Sequence, residues 1–132
     1  MPHQRLNPDN LYRAAGDVYS QIVVSAPGTQ WHIAGMVPLD RERNLVGEND
    51  MARQVEQVMH NLQLALDAVG ASAAHIVRLH VYTTDMDRFM AEGREPLYRF
   101  FSAAPPASTL LGVARLADAR YLVEVEVSAV AG

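Results

Sequence analysis

Apolar residues along this chain switch between two periods, and the switches mark the elements. From Met51 to Val69 they fall at three- and four-residue steps: Met51, Val55, Val58, Met59, Leu62, Ala65, Leu66 and Val69. That spacing puts one apolar stripe on a helix. Asn49-Asp50 offers the N-cap, and Gly70 stands where a left-handed C-terminal residue is wanted. Arg53, Glu56, Gln57, Gln63 and Asp67 form the opposite, solvated face. The two methionines read as core filler.

Elsewhere the period is two. Asp17 to Ser25 is dense in β-branched residues and predicts a strand; Ala26-Pro27-Gly28 punctuates it. Thr29 to Met36 predicts a second strand, so the two would form a hairpin that Val37-Pro38 ends. His75 to Thr83 alternates, with Val77, Leu79 and Val81 on one face and Ile76, Arg78, His80 and Tyr82 on the other. After Asp85 the pattern turns helical, but Pro96 cannot sit inside a helix. A turn over Asp87–Glu92 followed by a helix from Pro96 through Phe101 is therefore expected. Ser108–Arg115 and Leu122–Val130 complete the strands. The last is the most regular, with Val123, Val125, Val127 and Ala129 against Glu124, Glu126, Ser128 and Val130. Residues 1–15 show no period and read as a surface arm.

The order is β-β-α-β-α-β-β, an α+β chain of one domain over residues 1–132, with two helices on one face of one sheet. The other face mixes Arg78, His80, Glu124 and Glu126 with apolar neighbours, a candidate surface for burial in an oligomer.

Composition narrows the function. The formal charge is −4, and the 11 basic residues are scattered without a stripe, so nucleic acid is a poor partner. The absence of cysteine removes disulfides, thiolate metal ligands and a cysteine nucleophile together. His32, His60, His75 and His80 show no metal-ligand spacing, so neither a metal nor another cofactor is expected. No secretory leader and no membrane-spanning stretch are evident, which predicts a cytoplasmic address and no membrane partner.

Several segments together resemble the reactive-intermediate deaminase (Rid, or YjgF) family. They are Tyr19-Ser20-Gln21 and Ile33-Ala34-Gly35-Met36-Val37-Pro38, the helix with Gln57, Asn61 and Leu62, and Asp87-Arg88-Phe89. Pro106-Ala107-Ser108-Thr109, Val113-Ala114-Arg115-Leu116 and Leu122-Val123-Glu124-Val125-Glu126 complete the match, which covers roughly residues 12–130. The resemblance implies a chorismate-mutase-like fold and a homotrimer with a small-molecule cleft between subunits. In the best-known branch that cleft hydrolyses an imine or enamine made from an amino acid. An arginine after Pro-Ala grips the substrate carboxylate, and a glutamate on the last strand helps position water.

On that resemblance Glu124 and Tyr19 are the catalytic candidates. Ser108, Thr109, Ala34 and Gly35 are expected to line the cleft. Phe89 is a candidate wall, and Arg115, like Arg78, a candidate substitute cation. The chain departs from the family where it matters most. Ser108 stands at the arginine position, and a hydroxyl cannot reproduce a bidentate guanidinium grip. Ala34 replaces the serine of the Ser-Gly pair. Two readings follow. One is an enamine or imine hydrolase, deaminase-like, that handles the usual 2-imino acids poorly. The other is a trimeric binding or holdase-like module without catalysis. Glu124 carries a second assignment beside the catalytic one, an ion pair with Arg115 or another arginine.

Overall fold

The computed structural model describes residues 2–14 and 18–131. Among the described residues six strands and three α-helices appear in the order β1 (Gln4–Leu6), β2 (Ile22–Val24), β3 (Gln30–Met36), α1 (Met51–Ala68), β4 (Ile76–Thr83), α2 (Met86–Arg88), α3 (Arg94–Tyr98), β5 (Ala107–Gly112), β6 (Val123–Val130). A four-stranded sheet runs β3-β6-β4-β5, with β4 and β5 parallel and the other pairs antiparallel. Parallel neighbours need a crossover, and the helical segment between β4 and β5 supplies it. The core lies between this sheet and the helices, where α1 contributes Met51, Val55, Val58, Leu62 and Leu66, and β6 contributes Val123, Val125, Val127 and Ala129.

Helix α1 forms where its apolar stripe predicts. The Asp50 carboxylate accepts the Arg53 N–H at 3.1 Å, and Gly70 takes φ +70° beyond the C-terminus. Its stripe also contains a residue that periodicity assigns to no face. Gln54 is fully buried; its Oε1 accepts the Leu122 N–H at 2.8 Å, and its Nε2 donates to the carbonyls of Arg120 (3.0 Å) and Gly47 (3.1 Å). One amide thereby satisfies three backbone groups at the entry to β6. Gln54→Leu strands all three and is expected to lower stability by about 2–4 kcal/mol, read as a fall in the urea midpoint.

The first hairpin is not formed. Strand β2 pairs with β1 as a separate two-stranded ribbon, and β3 pairs with β6. Ala26-Pro27-Gly28 does not reverse the chain onto itself; it delivers the chain to the end of β6. The Ala131 N–H bonds the Thr29 carbonyl at 2.9 Å, and a Cβ on Gly28 would lie 1.9 Å from the Ala131 carbonyl oxygen. Two sheets therefore replace the single expected one. The expected start of the first strand, Asp17, lies outside the described residues, as do Met1 and Ala15 of the expected arm. The rest of that arm is anchored, with His3 buried between the Ala26 N–H (2.9 Å) and the Val130 carbonyl (2.8 Å), and Arg5 bonded to the Pro105 and Ala74 carbonyls.

The split at Pro96 also gives way. Helical turns run without a break from Met86 to Phe101, with a π turn at Phe89–Gly93. The proline ring would crowd the carbonyl four residues back in a regular helix, and that residue, Glu92, lies within the wide turn. In β4 the alternation slips once. Ile76 pairs Ala129 and Arg78 pairs Ser128, so Val77 is the extra residue of a bulge and Ile76 turns into the core with Leu79 and Val81.

Candidate functional site

Residues on β4, β5 and β6 alternate between the helix-covered face and the open face. Ser108 pairs Leu79 and Thr109 pairs His80, so adjacent candidates on β5 point to opposite sides. The structure thus sorts the site residues into two groups.

The first group is on the helix side of β5, an edge strand. Ser20 donates from its hydroxyl to the Pro105 carbonyl at 2.6 Å and from its N–H to the Pro106 carbonyl at 2.9 Å. These bonds stitch the segment before β2 to the start of β5 and bring Tyr19 beside Ser108. Together with Val18, Met90, Arg94, Tyr98 and Leu110 they line a pocket of about 210 Å³. The Tyr98 phenol shares this pocket with Ser108 and Arg94, which would lower its pKa, yet its pKa is raised because burial dominates.

The second group is on the open face. Strand β3 carries a bulge between Ile33 and Met36, at Ala34-Gly35. The extra residue brings Gly35 against the side chain of Glu124; a Cβ there would lie 1.9 Å from Glu124 Oε2. Gly35 is thus the seat of the carboxylate, and glycine is required by close approach rather than by backbone angle. The segment after the bulge is fixed to α1, where the Asn61 amide donates to the carbonyls of Val37 (3.0 Å) and Leu39 (2.9 Å).

Glu124 and Glu126 differ although they share a face. The Tyr82 hydroxyl donates to Glu126 Oε1, and His80 Nδ1 lies 3.8 Å from the same oxygen. Among the described residues no side chain hydrogen-bonds Glu124 and no arginine pairs with either carboxylate. Half-burial raises the pKa of Glu124, and the neighbouring charge of Glu126 raises it further. A carboxylate that is partly desolvated, unpaired and seated on a glycine can take and return a proton.

The remaining candidates fall elsewhere. Phe89 is fully buried against Gly93, whose added Cβ would lie 2.8 Å from the ring, so it belongs to the core and walls no cleft. Thr109 is on the open face, bonded by Arg78. Arg115 is exposed, turned onto the carbonyls of Leu116 (3.2 Å) and Ala117 (3.5 Å) in its own loop. Arg94 was not signalled by the sequence. Met90, Arg94 and Tyr98 recur every four residues and line one pocket wall, but a helix divided at Pro96 separates Arg94 from Tyr98. Among the described residues no group of three metal-ligating side chains converges.

Comparison with known proteins places the fold. The family model described as Endoribonuclease L-PSP matches residues 11–131. Protein DfrA of Myxococcus xanthus is 33% identical over 131 residues, covering 99% of this chain and 96% of its own. The 2-iminobutanoate/2-iminopropanoate deaminase of Salmonella typhimurium is 28% identical, covering 74% of this chain and 75% of its own. The crystal structure of YyfB from Yersinia pestis, a protein of unknown function of the conserved Rid family, is 31% identical. It superposes with a TM-score of 0.89 over 99% of this chain and all of that one.

Proposed function

Because the chain belongs to the Endoribonuclease L-PSP family, the Rid (YjgF) family, we propose that it is a homotrimer whose inter-subunit clefts hydrolyse a small imine or enamine. The observation that carries this reading is Glu124 seated on Gly35 at the β3 bulge, unpaired and with a raised pKa. The two groups of site residues lie on opposite faces of one sheet. A cleft holding both is completed by two chains, the open face of one meeting the β5 edge of the next.

In the proposed reaction, ionised Glu124 accepts a proton as water adds to the C=N carbon of the protonated imine, forming the C–O bond and a carbinolamine. The protonated carboxyl then returns the proton to nitrogen. As the C–N bond breaks, the ionised carboxylate takes the hydroxyl proton and passes it to solvent, leaving a carbonyl product and ammonia. An enamine enters the same path after protonation at carbon gives the protonated imine. The deaminase relative supports the reaction class, since its name specifies 2-imino acids.

Ser108 sets the substrate apart. It offers one neutral hydrogen bond where a guanidinium would hold a carboxylate. Short 2-imino acids generated in situ by oxidation of amino acids should be hydrolysed poorly, about 30- to 1,000-fold below an arginine-bearing relative. Ammonia release measures this, and turnover equal to the relative's counts against the assignment. RNA cleavage, which the family description names, finds little support here: the net charge is −4, and Arg88, Arg99 and Arg120 are each paired with a carboxylate.

The oligomer is tested separately. Sedimentation equilibrium at micromolar concentration should give three times the chain mass. A clean monomer removes the two-chain cleft and with it the proposed reaction.

A further inference from the structure

The pocket beside Ser108 contains a cation that comes from the helix rather than from the strand. Arg94 opens α3 and is half-buried, on the same wall as Met90 and Tyr98 and lining the same pocket as Tyr19 and Ser108. Its charge is felt by the Tyr98 phenol, where it opposes the larger effect of burial.

What distinguishes Arg94 among the described residues is that it is half-buried and yet nothing engages it; Arg13, Arg41, Arg43 and Arg53 are also unpaired, but they are exposed. Arg88 pairs with Glu92 at 3.0 Å, Arg99 with Glu95 at 3.5 Å and Arg120 with Asp118 at 2.9 Å. Arg5 and Arg115 donate to carbonyls, and Arg78 to Thr109. Among the described residues Arg94 has neither an ion pair nor a side-chain hydrogen bond, and it lies at a concave site. A half-buried guanidinium keeps five donors that want an acceptor. Around it are two phenol oxygens and a serine hydroxyl, with Val18, Met90 and Leu110 as apolar wall. An unpaired guanidinium in such a pocket matches a carboxylate attached to a short apolar body.

We propose that Arg94 is the anion-binding residue of this pocket, gripping the carboxylate of a small aliphatic or unsaturated acid whose body packs on Met90, Leu110 and the rings of Tyr19 and Tyr98. This deepens the reading of the pocket as half of a cleft and rests on it for the identity of the ligand as substrate. On this proposal the carboxylate is gripped from α3 and not from residue 108, so the preference for short 2-imino acids that an arginine at 108 confers is not reproduced.

The test is calorimetric titration of the intact protein with but-2-enoate and with its neutral isostere but-2-enamide. Arg94→Gln, Arg94→Lys and, as a control remote from the pocket, Arg53→Gln are compared with the unsubstituted protein, each checked for an unchanged melting temperature. But-2-enoate should bind and but-2-enamide should bind at least about 10-fold more weakly, because charge-assisted bonds distinguish them. Arg94→Gln should lose about 10- to 100-fold in affinity for the acid and almost nothing for the amide. Arg94→Lys should fall between, and Arg53→Gln should match the unsubstituted protein. Equal binding of acid and amide, or undiminished binding of the acid by Arg94→Gln, overturns the proposal. The readout is binding, so a protein that binds but-2-enoate through Arg94 yet turns over no imine contradicts the hydrolase reading alone.

Discussion

Gly35→Ala is expected to remove turnover, by about 100-fold or more, while leaving the melting temperature nearly unchanged. The added Cβ would stand 1.9 Å from Glu124 Oε2, 2.8 Å from its Cδ and 3.0 Å from its Cγ. Contacts that close are not tolerated, so the carboxylate must swing away. It can do so at little cost, because no side chain among the described residues holds it by a hydrogen bond. The atoms that yield are the end of a flexible side chain, and Gly35 is not in the left-handed region, so alanine introduces no backbone strain there. A single methyl group thereby separates catalysis from folding. Steady-state hydrolysis with a parallel melting curve checks this. Full activity in Gly35→Ala means that the position of Glu124 does not matter to the reaction.

Glu124→Gln is expected to lower turnover by about 10²- to 10⁴-fold, the range of a lost general base, and to keep the trimer. The pH dependence gives a sharper signature. Desolvation raises the pKa of Glu124 and the charge of Glu126 adds to the shift. The ionised base therefore accumulates only above the ordinary carboxylate range, and the rate should rise with pH through that raised value. For stability the sign is opposite to that of a salt-bridged carboxylate. Protonated Glu124 favours the fold, and this contribution fades as pH rises through the raised pKa. Glu126→Gln removes the neighbouring charge and should move the acid limb to lower pH. It should also depress the melting temperature, because Glu126 accepts the Tyr82 hydroxyl. If Glu124→Gln disrupts the trimer and Glu126→Gln abolishes turnover, the two glutamates have exchanged roles.

Much of this architecture was legible in sequence, and the failures have physical causes. Helix α1 announces itself because eight apolar positions repeat a single period, and β6 because alternation is strict along a central strand. Glu124, its alternation partner Glu126 and the Gly35 segment could be singled out by resemblance. The contact between Gly35 and Glu124 could not, since it depends on a bulge in β3 that alternation does not encode. Strand β1 is three residues long and is held by His3 and Arg5 reaching distant carbonyls, so no local period marks it. The partner of β2 is not legible because a Pro-Gly turn looks alike whether the chain returns on itself or crosses to another strand. Arg94 was lost to the opposite error. A proline rule that is correct for regular helices does not foresee a helical segment that passes through Pro96 behind a π turn at Phe89–Gly93. Phe89 shows the limit of resemblance alone: a position beside a site motif lies wholly in the core.

The measurement that tests the two-chain cleft most directly is complementation between inactive subunits. Glu124→Gln damages the open-face half and Tyr19→Ala the β5-edge half, and each homotrimer should be nearly inactive. When the two are unfolded together, refolded as an equal mixture and shown by native mass spectrometry to form mixed trimers, some clefts receive both intact halves. Random assortment places an intact pair in about a quarter of the clefts, so activity should return to about a quarter of the unsubstituted protein's. Mixed trimers that stay as inactive as the two parents contradict a cleft shared between chains.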